Sequence, residues 1–484
     1  MPQIPQLSDY TTLLPVLVLT VWACALLLLD LFIPAARKGT TAVLAVFGLA
    51  LSLGLTLAQI GDESLGFSGM VVLDGFSIFL NALLLISGML GVAVAYGYNR
   101  RMGIERGEYY SLLLFSLIGM LLMVQAADLI VVFLALELLS IPLYVLSAFD
   151  RSRAESEEAG LKYFLLGAFS GGFLVYGVAL IFGATNSTSL YKIVEAAAGG
   201  ANPLLLSVGA ALVLVGFGFK VAAVPFHMWT PDVYHGAPTS VTAFMSAGAK
   251  IAGFAALMRV FSISLPSLAI DFTPILWGLA AVTMVVGNLI AISQTNIKRL
   301  LAYSSIAHAG YILMAFVPYG NRAVMPVSVA AGLFYLVSYV LTNFGAWAVV
   351  IALEKAEGKG LEISDYAGLA RKYPALAAAM TIFMISFIGF PPTIGLVGKF
   401  YLFRAVIDGG FIGLAIIGVL TSLISAYYYL RVVVTMYMQE GEPQQGGEFW
   451  LNFTWIFSAA AVVLFSLIPQ VLFALAGTAV LKLF

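Results

Sequence analysis

Glu137, Lys220, Lys250 and Lys399 each sit well inside long apolar runs of this sequence, and Lys162 lies nearer the end of another. A charged side chain at the middle of a bilayer costs about 2.5–3.5 kcal/mol on insertion scales. Residues of this kind face a wet or protein-lined interior and commonly mark an ion or proton path. The competing explanation is a salt bridge that holds helices together. One carboxylate against several lysines on separate runs leaves a surplus of lysine that no one-to-one pairing removes. Withdrawing water disfavours the charged form of any such group, and a nearby opposite charge restores it. The chemistry on offer is therefore proton loading and release, with a carboxylate able to set the charge of a lysine.

The settings differ. Glu137 follows Leu-Ile-Val-Val-Phe-Leu-Ala-Leu and precedes Ser140 and Pro142; it is the one acid near the middle of a run, whereas Asp30 and Asp128 lie near run ends. Lys162, about one turn into its helix, can snorkel to the surface, or can pair with Glu137, since consecutive helices are usually neighbours. Lys220, in Gly216-Phe-Gly218-Phe-Lys220, is too deep to snorkel. Lys250 follows Ser246 and Gly248, small residues that allow close helix approach and shield it from lipid. Lys399 follows a proline pair. The three histidines are His227, His235 and His308. Histidine titrates near pH 6.5 and relays protons, so His227 and His308 are candidate relays; for His227 a capping hydrogen bond is an equal alternative. No histidine pair has metal-ligand spacing with further donors nearby.

The elements that must position these groups follow from composition. The chain of 484 residues is 62% hydrophobic and 10% charged, against about 25% charged in soluble domains. A spanning helix needs about 20 apolar residues, and such runs fill nearly the whole chain. The expected fold is all-α and polytopic, with about fourteen transmembrane helices between residues 13 and 476. Long unalternating runs exclude a membrane β-barrel. A net charge of −1 offers no basic surface for nucleic acid. The single cysteine, Cys24, excludes an intrachain disulfide and cysteine-ligated zinc or iron–sulfur sites. No basic segment and cleavage site mark the first span for removal. The longest polar stretch, Glu354 to Tyr373, is too short to fold alone.

Thirteen lysines and arginines of the short loops fall on one side, against Lys192, Arg322 and Lys482 on the other. That bias places the first group in the cytoplasm and both termini outside. Proline interrupts the seventh helix at Pro225 and the twelfth at Pro391-Pro392. Inside a membrane the carbonyls so freed must face protein or water. Each break therefore predicts a polar cavity, and each has a lysine beside it. The breaks lie five spans apart, on helices of opposite direction, the pattern of an inverted repeat with broken helices at a transport path. The expected organisation is helices 1–3 in residues 1–107, repeats of five helices in 108–264 and 265–438, and a last helix in 439–484.

The stretch Lys220-Val-Ala-Ala-Val-Pro-Phe-His227-Met-Trp-Thr-Pro-Asp232-Val-Tyr-His-Gly-Ala-Pro238-Thr, followed by Lys250, resembles the antiporter-like membrane subunits of respiratory complex I. So do Gln294-Thr-Asn296-Ile-Lys298-Arg299 through Ser305 and Pro391-Pro392-Thr-Ile-Gly-Leu-Val-Gly-Lys399-Phe. The resemblance extends over essentially all of the expected spans. It is strongest to the subunit N branch: the chain stops without a long carboxy-terminal traverse helix, and Lys399 stands where another branch has glutamate. His235 departs from the family wording, which often has glutamine there.

The resemblance implies that Glu137 is coupled to Lys162, that Lys220 is the central proton-loading lysine, that Lys250 links the two halves and that Lys399 is the terminal lysine. It implies proton passage through two half-channels joined by a central hydrophilic axis. It further implies no cofactor on this chain, with NADH, FMN, iron–sulfur clusters and quinone belonging to partner subunits of a peripheral redox arm and the adjoining membrane subunits. Lipid is the remaining partner, and the bacterial wording points to the inner membrane. Three alternatives compete: a multi-subunit sodium/proton antiporter, a related complex driven by ferredoxin or hydrogen, and a scaffold whose buried charges merely hold helices.

Overall fold

The computed structural model describes residues 6–356 and 358–479; Lys482, one of the three charges assigned to the outer side, lies outside them. Twelve helices among the described residues are long and apolar enough to cross a membrane. The expected fourteen also counts two segments of another character. Ile297–Met314 is a continuous helix, but Lys298, Arg299, Ser304, Ser305 and His308 lower its apolarity. The stretch from Pro374 to Asp408 is divided into two helices of 15 residues.

The chain is not purely helical. Ser64–Gly66 and Val71–Leu73 form an antiparallel hairpin with Ser64 opposite Leu73. Its turn uses left-handed backbone at Phe67, Ser68 and Gly69. Strands of three residues are too short to show a periodicity in the sequence.

Two helices form the interior axis. Thr239–Ser264 and Met325–Leu353 are buried along the whole of their apolar windows, whereas Leu14–Phe32 and Phe449–Leu467 bury only 33% of theirs. A helix enclosed by other helices meets no lipid, so it can carry polar side chains on any face. These two carry Ser246, Lys250, Tyr335, Tyr339, Thr342 and Asn343, all buried.

Both proline sites interrupt the helices in which they lie. Pro203–Val221 ends with Ala222 at φ 62°, and helix resumes at Trp229–Gly236. The backbone N–H of Val224 is satisfied by Thr283 Oγ1 at 2.9 Å. The indole N–H of Trp229 donates to the Phe219 carbonyl at 2.9 Å and so caps the broken end. Pro374–Ile388 ends at Gly389, φ 83°, and Ile394–Asp408 follows. Gly389 meets both requirements of its place: positive φ, and no Cβ, which would lie 2.8 Å from Lys399 Cδ.

Candidate functional site

Glu137 and Ser140 are three residues apart on the helix Leu129–Ser147 and so share a face. The Glu137 carboxylate faces Gly171 of the helix Ala154–Thr185, where a Cβ would come within 2.9 Å of Oε1. Ser140 Oγ accepts a hydrogen bond from Lys220 Nζ at 2.8 Å. The same ammonium donates to Tyr163 OH at 3.3 Å and lies 5.5 Å from that ring's centre. Tyr163 is stacked on Trp229 at 4.5 Å, so the residue that caps the first break also backs the lysine's tyrosine. Lys220 is 3% exposed and Glu137 is half-buried. Glu137 is the carboxylate whose charge acts on Lys220.

The row continues on the axial helices. Gly253, on the helix Thr239–Arg259, packs against the Lys220 stem. One turn earlier on that helix, Lys250 donates to the Ser305 carbonyl and lies 5.6 Å from the Tyr339 ring centre. Tyr339 OH donates to Ser305 Oγ at 3.0 Å. His308 is one turn further along the Ser305 helix. Its Nδ1 lies 2.7 Å from Tyr335 OH and its Nε2 3.3 Å from Tyr429 OH. The imidazole therefore has a hydroxyl at each ring nitrogen, and it feels the charges of both Lys250 and Lys399.

Lys399 ends the row. Its Nζ donates to the carbonyls of Phe387 and Ile388 at 3.0 and 2.9 Å and to Ser422 Oγ at 2.7 Å. The local cause is legible in the chain. In an α-helix those two carbonyls would accept from residues 391 and 392. Both are proline and have no N–H, so the freed oxygens are taken by the ammonium. Tyr311 lies under it, 4.3 Å from ring centre to Nζ.

Among the described residues, none of Lys220, Lys250 and Lys399 has a carboxylate within ion-pair distance. A fixed structural pair elsewhere in the molecule is different. Arg259 and Asp74, both 1% exposed, form two hydrogen bonds of 2.9 and 3.0 Å, and Arg259 Nε donates to the Val124 carbonyl. The three lysines instead meet hydroxyls, carbonyls and tyrosine faces.

Lys162 stands elsewhere. Its ammonium is paired with Glu158 at 2.7 Å and Asp232 at 2.8 Å, and its side chain is 41% exposed. Neither a hydrogen bond nor an ion pair joins it to Glu137 among the described residues. The expected direct pairing is thus replaced by one with Asp232, which also holds Arg299 at 3.1 Å. The reason is position: Lys162 is level with Asp232 on the short helix Trp229–Gly236 beyond the break, while Glu137 faces Gly171, nine residues further along the Lys162 helix.

Sequence reasoning missed this cluster, and missed Lys298, which is fully buried and donates to the Ala237 carbonyl at 2.7 Å. It counted among the loop charges because polar residues surround it. Nearby Glu354 is buried and accepts from Tyr98 at 3.4 Å and Arg153 at 3.5 Å. His227 is at the first break with Nδ1 buried and without a hydrogen-bond partner among the described residues; it is not drawn into the row. No group of three or more His, Cys, Asp or Glu side chains suited to a metal occurs among the described residues.

Residues 126–425 match the family model described as NADH:quinone oxidoreductase/Mrp antiporter, transmembrane. A NADH-quinone oxidoreductase subunit N of Trichlorobacter lovleyi is 46% identical over 99% of this chain and 98% of its own length. That of Chloroflexus aggregans is 47% identical over 96% of each. Among solved structures, a chain of respiratory complex I from Thermus thermophilus superposes with a TM-score of 0.81 at 35% identity, covering 96% of this chain and 99% of that one. A chain of the Mrp complex from a Dietzia species gives 0.85 at 21% identity over 97% and 96%. The fold is thus common to both kinds of assembly, and sequence identity is what separates them.

Proposed function

The chain belongs to the NADH:quinone oxidoreductase/Mrp antiporter membrane family, and from that premise we propose that it is the proton-translocating subunit N of a NADH-quinone oxidoreductase. Protons pass through two half-channels that meet in the row Glu137, Lys220, Lys250, His308 and Lys399. Residues 108–264 and 265–438 are the two inverted five-helix repeats, each contributing one broken helix to that row, and with Ile297–Met314 and the divided stretch Pro374–Asp408 counted the chain crosses the membrane fourteen times. Electron transfer belongs to partner subunits, which carry NADH, FMN, iron–sulfur clusters and quinone; this chain performs no redox step. It lies in the bacterial inner membrane, with the lysine- and arginine-rich loops in the cytoplasm and both termini outside.

The observation that carries this reading is the set of three buried lysines held by neutral partners. A lysine locked to a carboxylate keeps its proton; one held by hydroxyls and carbonyls can release it to the next group. Glu137 supplies the control. Each 1.4 kcal/mol of change in its field at Lys220 alters the proton occupancy of that lysine tenfold. Lys162, Asp232 and Arg299 form a charged cluster on the loop side of the first break, where a proton would enter. His308, with Tyr335 and Tyr429 at its ring nitrogens, stands within electrostatic reach of both Lys250 and Lys399.

The test is Lys220→Ala in the assembled enzyme, reconstituted in vesicles, with NADH oxidation and acidification followed together. We expect electron transfer to continue at a reduced rate while proton transport per electron falls. Unchanged transport per electron would refute the assignment. The antiporter alternative shares the fold and predicts proton movement driven by a sodium gradient without NADH; the higher identity to subunit N favours the redox-driven complex.

A further inference from the structure

Two cavities adjoin on one flank of the molecule. Both are floored by the helix Gly75–Arg101 and walled by Gly39–Ala58 and Phe449–Leu467. The first, of 820 Å³, opens at the face that carries the arginine-rich loops and contains Arg37, Arg100 and Arg101 together with Glu105 and Glu448. The second, of 290 Å³, continues along the same helices toward the membrane interior and is lined by carbon, with Val43, Val46, Met89, Ala93 and Phe453 among its walls. Tyr96 and Trp450 border both.

The charges in the first cavity are not equivalent. Arg101 is bound to Glu448 and donates to the Ile351 carbonyl at 2.5 Å, so those two cancel. Arg37 and Arg100 are exposed and make no ion pair among the described residues. Against them stands Glu105. One positive charge is left over, at the membrane-surface end of an apolar groove. The far end of the same flank has the opposite character: a separate cavity there is bordered by Asp62 and Glu63. Trp450 and Phe449 are exposed at the rim of the basic end, the place aromatic side chains take at the headgroup level.

We propose that this flank is a binding site for one anionic phospholipid. Its phosphate is held by the guanidinium groups of Arg37 and Arg100, which suit phosphate oxygens in geometry and charge. One of its acyl chains lies in the groove between Val43 and Phe453. The unmatched charge selects a headgroup with net charge −1, such as phosphatidylglycerol, over phosphatidylethanolamine, whose phosphate and ammonium cancel. The bound lipid would join the amino-terminal helix Gly39–Ala58 to the carboxy-terminal helix Phe449–Leu467.

The experiment uses the whole purified complex, stripped of loose lipid and titrated with phosphatidylglycerol or phosphatidylethanolamine in nanodiscs, with retained lipid counted by mass spectrometry. Each arginine near an anionic headgroup contributes roughly a fivefold gain in affinity, so R37Q/R100Q should bind phosphatidylglycerol roughly 25-fold more weakly. Phosphatidylethanolamine retention should be low and unchanged. V43W, which fills the groove at an exposed position and leaves both arginines in place, should also displace phosphatidylglycerol, and it decides the matter alone if the double variant does not assemble. Equal retention of the two lipids, or undiminished phosphatidylglycerol in V43W, would overturn the proposal. So would a cross-link from position 43 to a neighbouring subunit.

Discussion

Asp74 and Arg259 carry opposite charges in a dry interior and satisfy each other with two hydrogen bonds. Removing one member of such a pair strands the other. Arg259→Ala should cost about 3–5 kcal/mol of stability, seen as a large fall in melting temperature and in the yield of assembled complex. Lys250 predicts the reverse. It leaves no buried counter-charge behind, so Lys250→Met should leave melting and assembly near those of the parent while abolishing proton transport. Failure of the Lys250→Met complex to assemble would make the lysine structural. The two arrangements differ in what the sequence could reveal. Lys220, Lys250, Lys399 and His308 stand out because their neighbours are apolar. Asp74 and Arg259 are 185 residues apart and close to helix ends, and nothing local links them. Asp232, Lys298 and Arg299 look like ordinary solvated charges until the short helix after the first break folds against them.

At the scale of elements, the breaks and their lysines were readable from prolines alone, because the missing N–H groups name the carbonyls that must be satisfied. The wholly buried helices were not. Thr239–Ser264 and Met325–Leu353, at mean hydropathies of 1.5 and 1.8, bracket the 1.7 of the lipid-side helices Ile412–Met438 and Phe449–Leu467; hydropathy alone does not single them out, and their enclosure comes from packing order. The hairpin at Ser64–Leu73 was hidden for want of length. Gly389 joins backbone and site directly. A methyl group there must adopt φ 83° and meets Lys399 Cδ at 2.8 Å. Gly389→Ala should cost of order 1–3 kcal/mol in backbone strain and lower proton transport more than electron transfer, as Lys399 is pushed off the Phe387 and Ile388 carbonyls. Equal loss of both activities, or of neither, would separate Gly389 from the lysine.

Across the whole molecule, the segment before the last long helix is tied to the rest on the loop face. Lys372 pairs with Glu442 at 2.8 Å and Arg371 with Glu440 at 3.0 Å, while Gly446 N donates to the Ala352 carbonyl at 2.8 Å. The hydrogen bond from Lys372 and its charge hold the Glu442 carboxyl below the ordinary glutamate range and raise the Lys372 ammonium. A depressed carboxylate contributes stability above its unfolded value and loses it as pH falls through the folded one. Amide protection in residues 439–448, taken relative to the intrinsic exchange rate at each pH, should therefore fall as the medium is acidified below the glutamate range. Glu442→Gln should flatten that dependence. Both groups are exposed, so the effect is small and declines with salt.

Every buried lysine of the row has a tyrosine ring beside it: Lys220 has Tyr163, Lys250 has Tyr339 and Lys399 has Tyr311. A ring quadrupole attracts a cation only modestly, and the hydroxyls and carbonyls that each ammonium also meets are neutral. Three stops held only by neutral groups give wells of modest depth, and a carrier that must be crossed many times a second is served by level ground. A single deep trap anywhere along the way would set the pace for the entire machine.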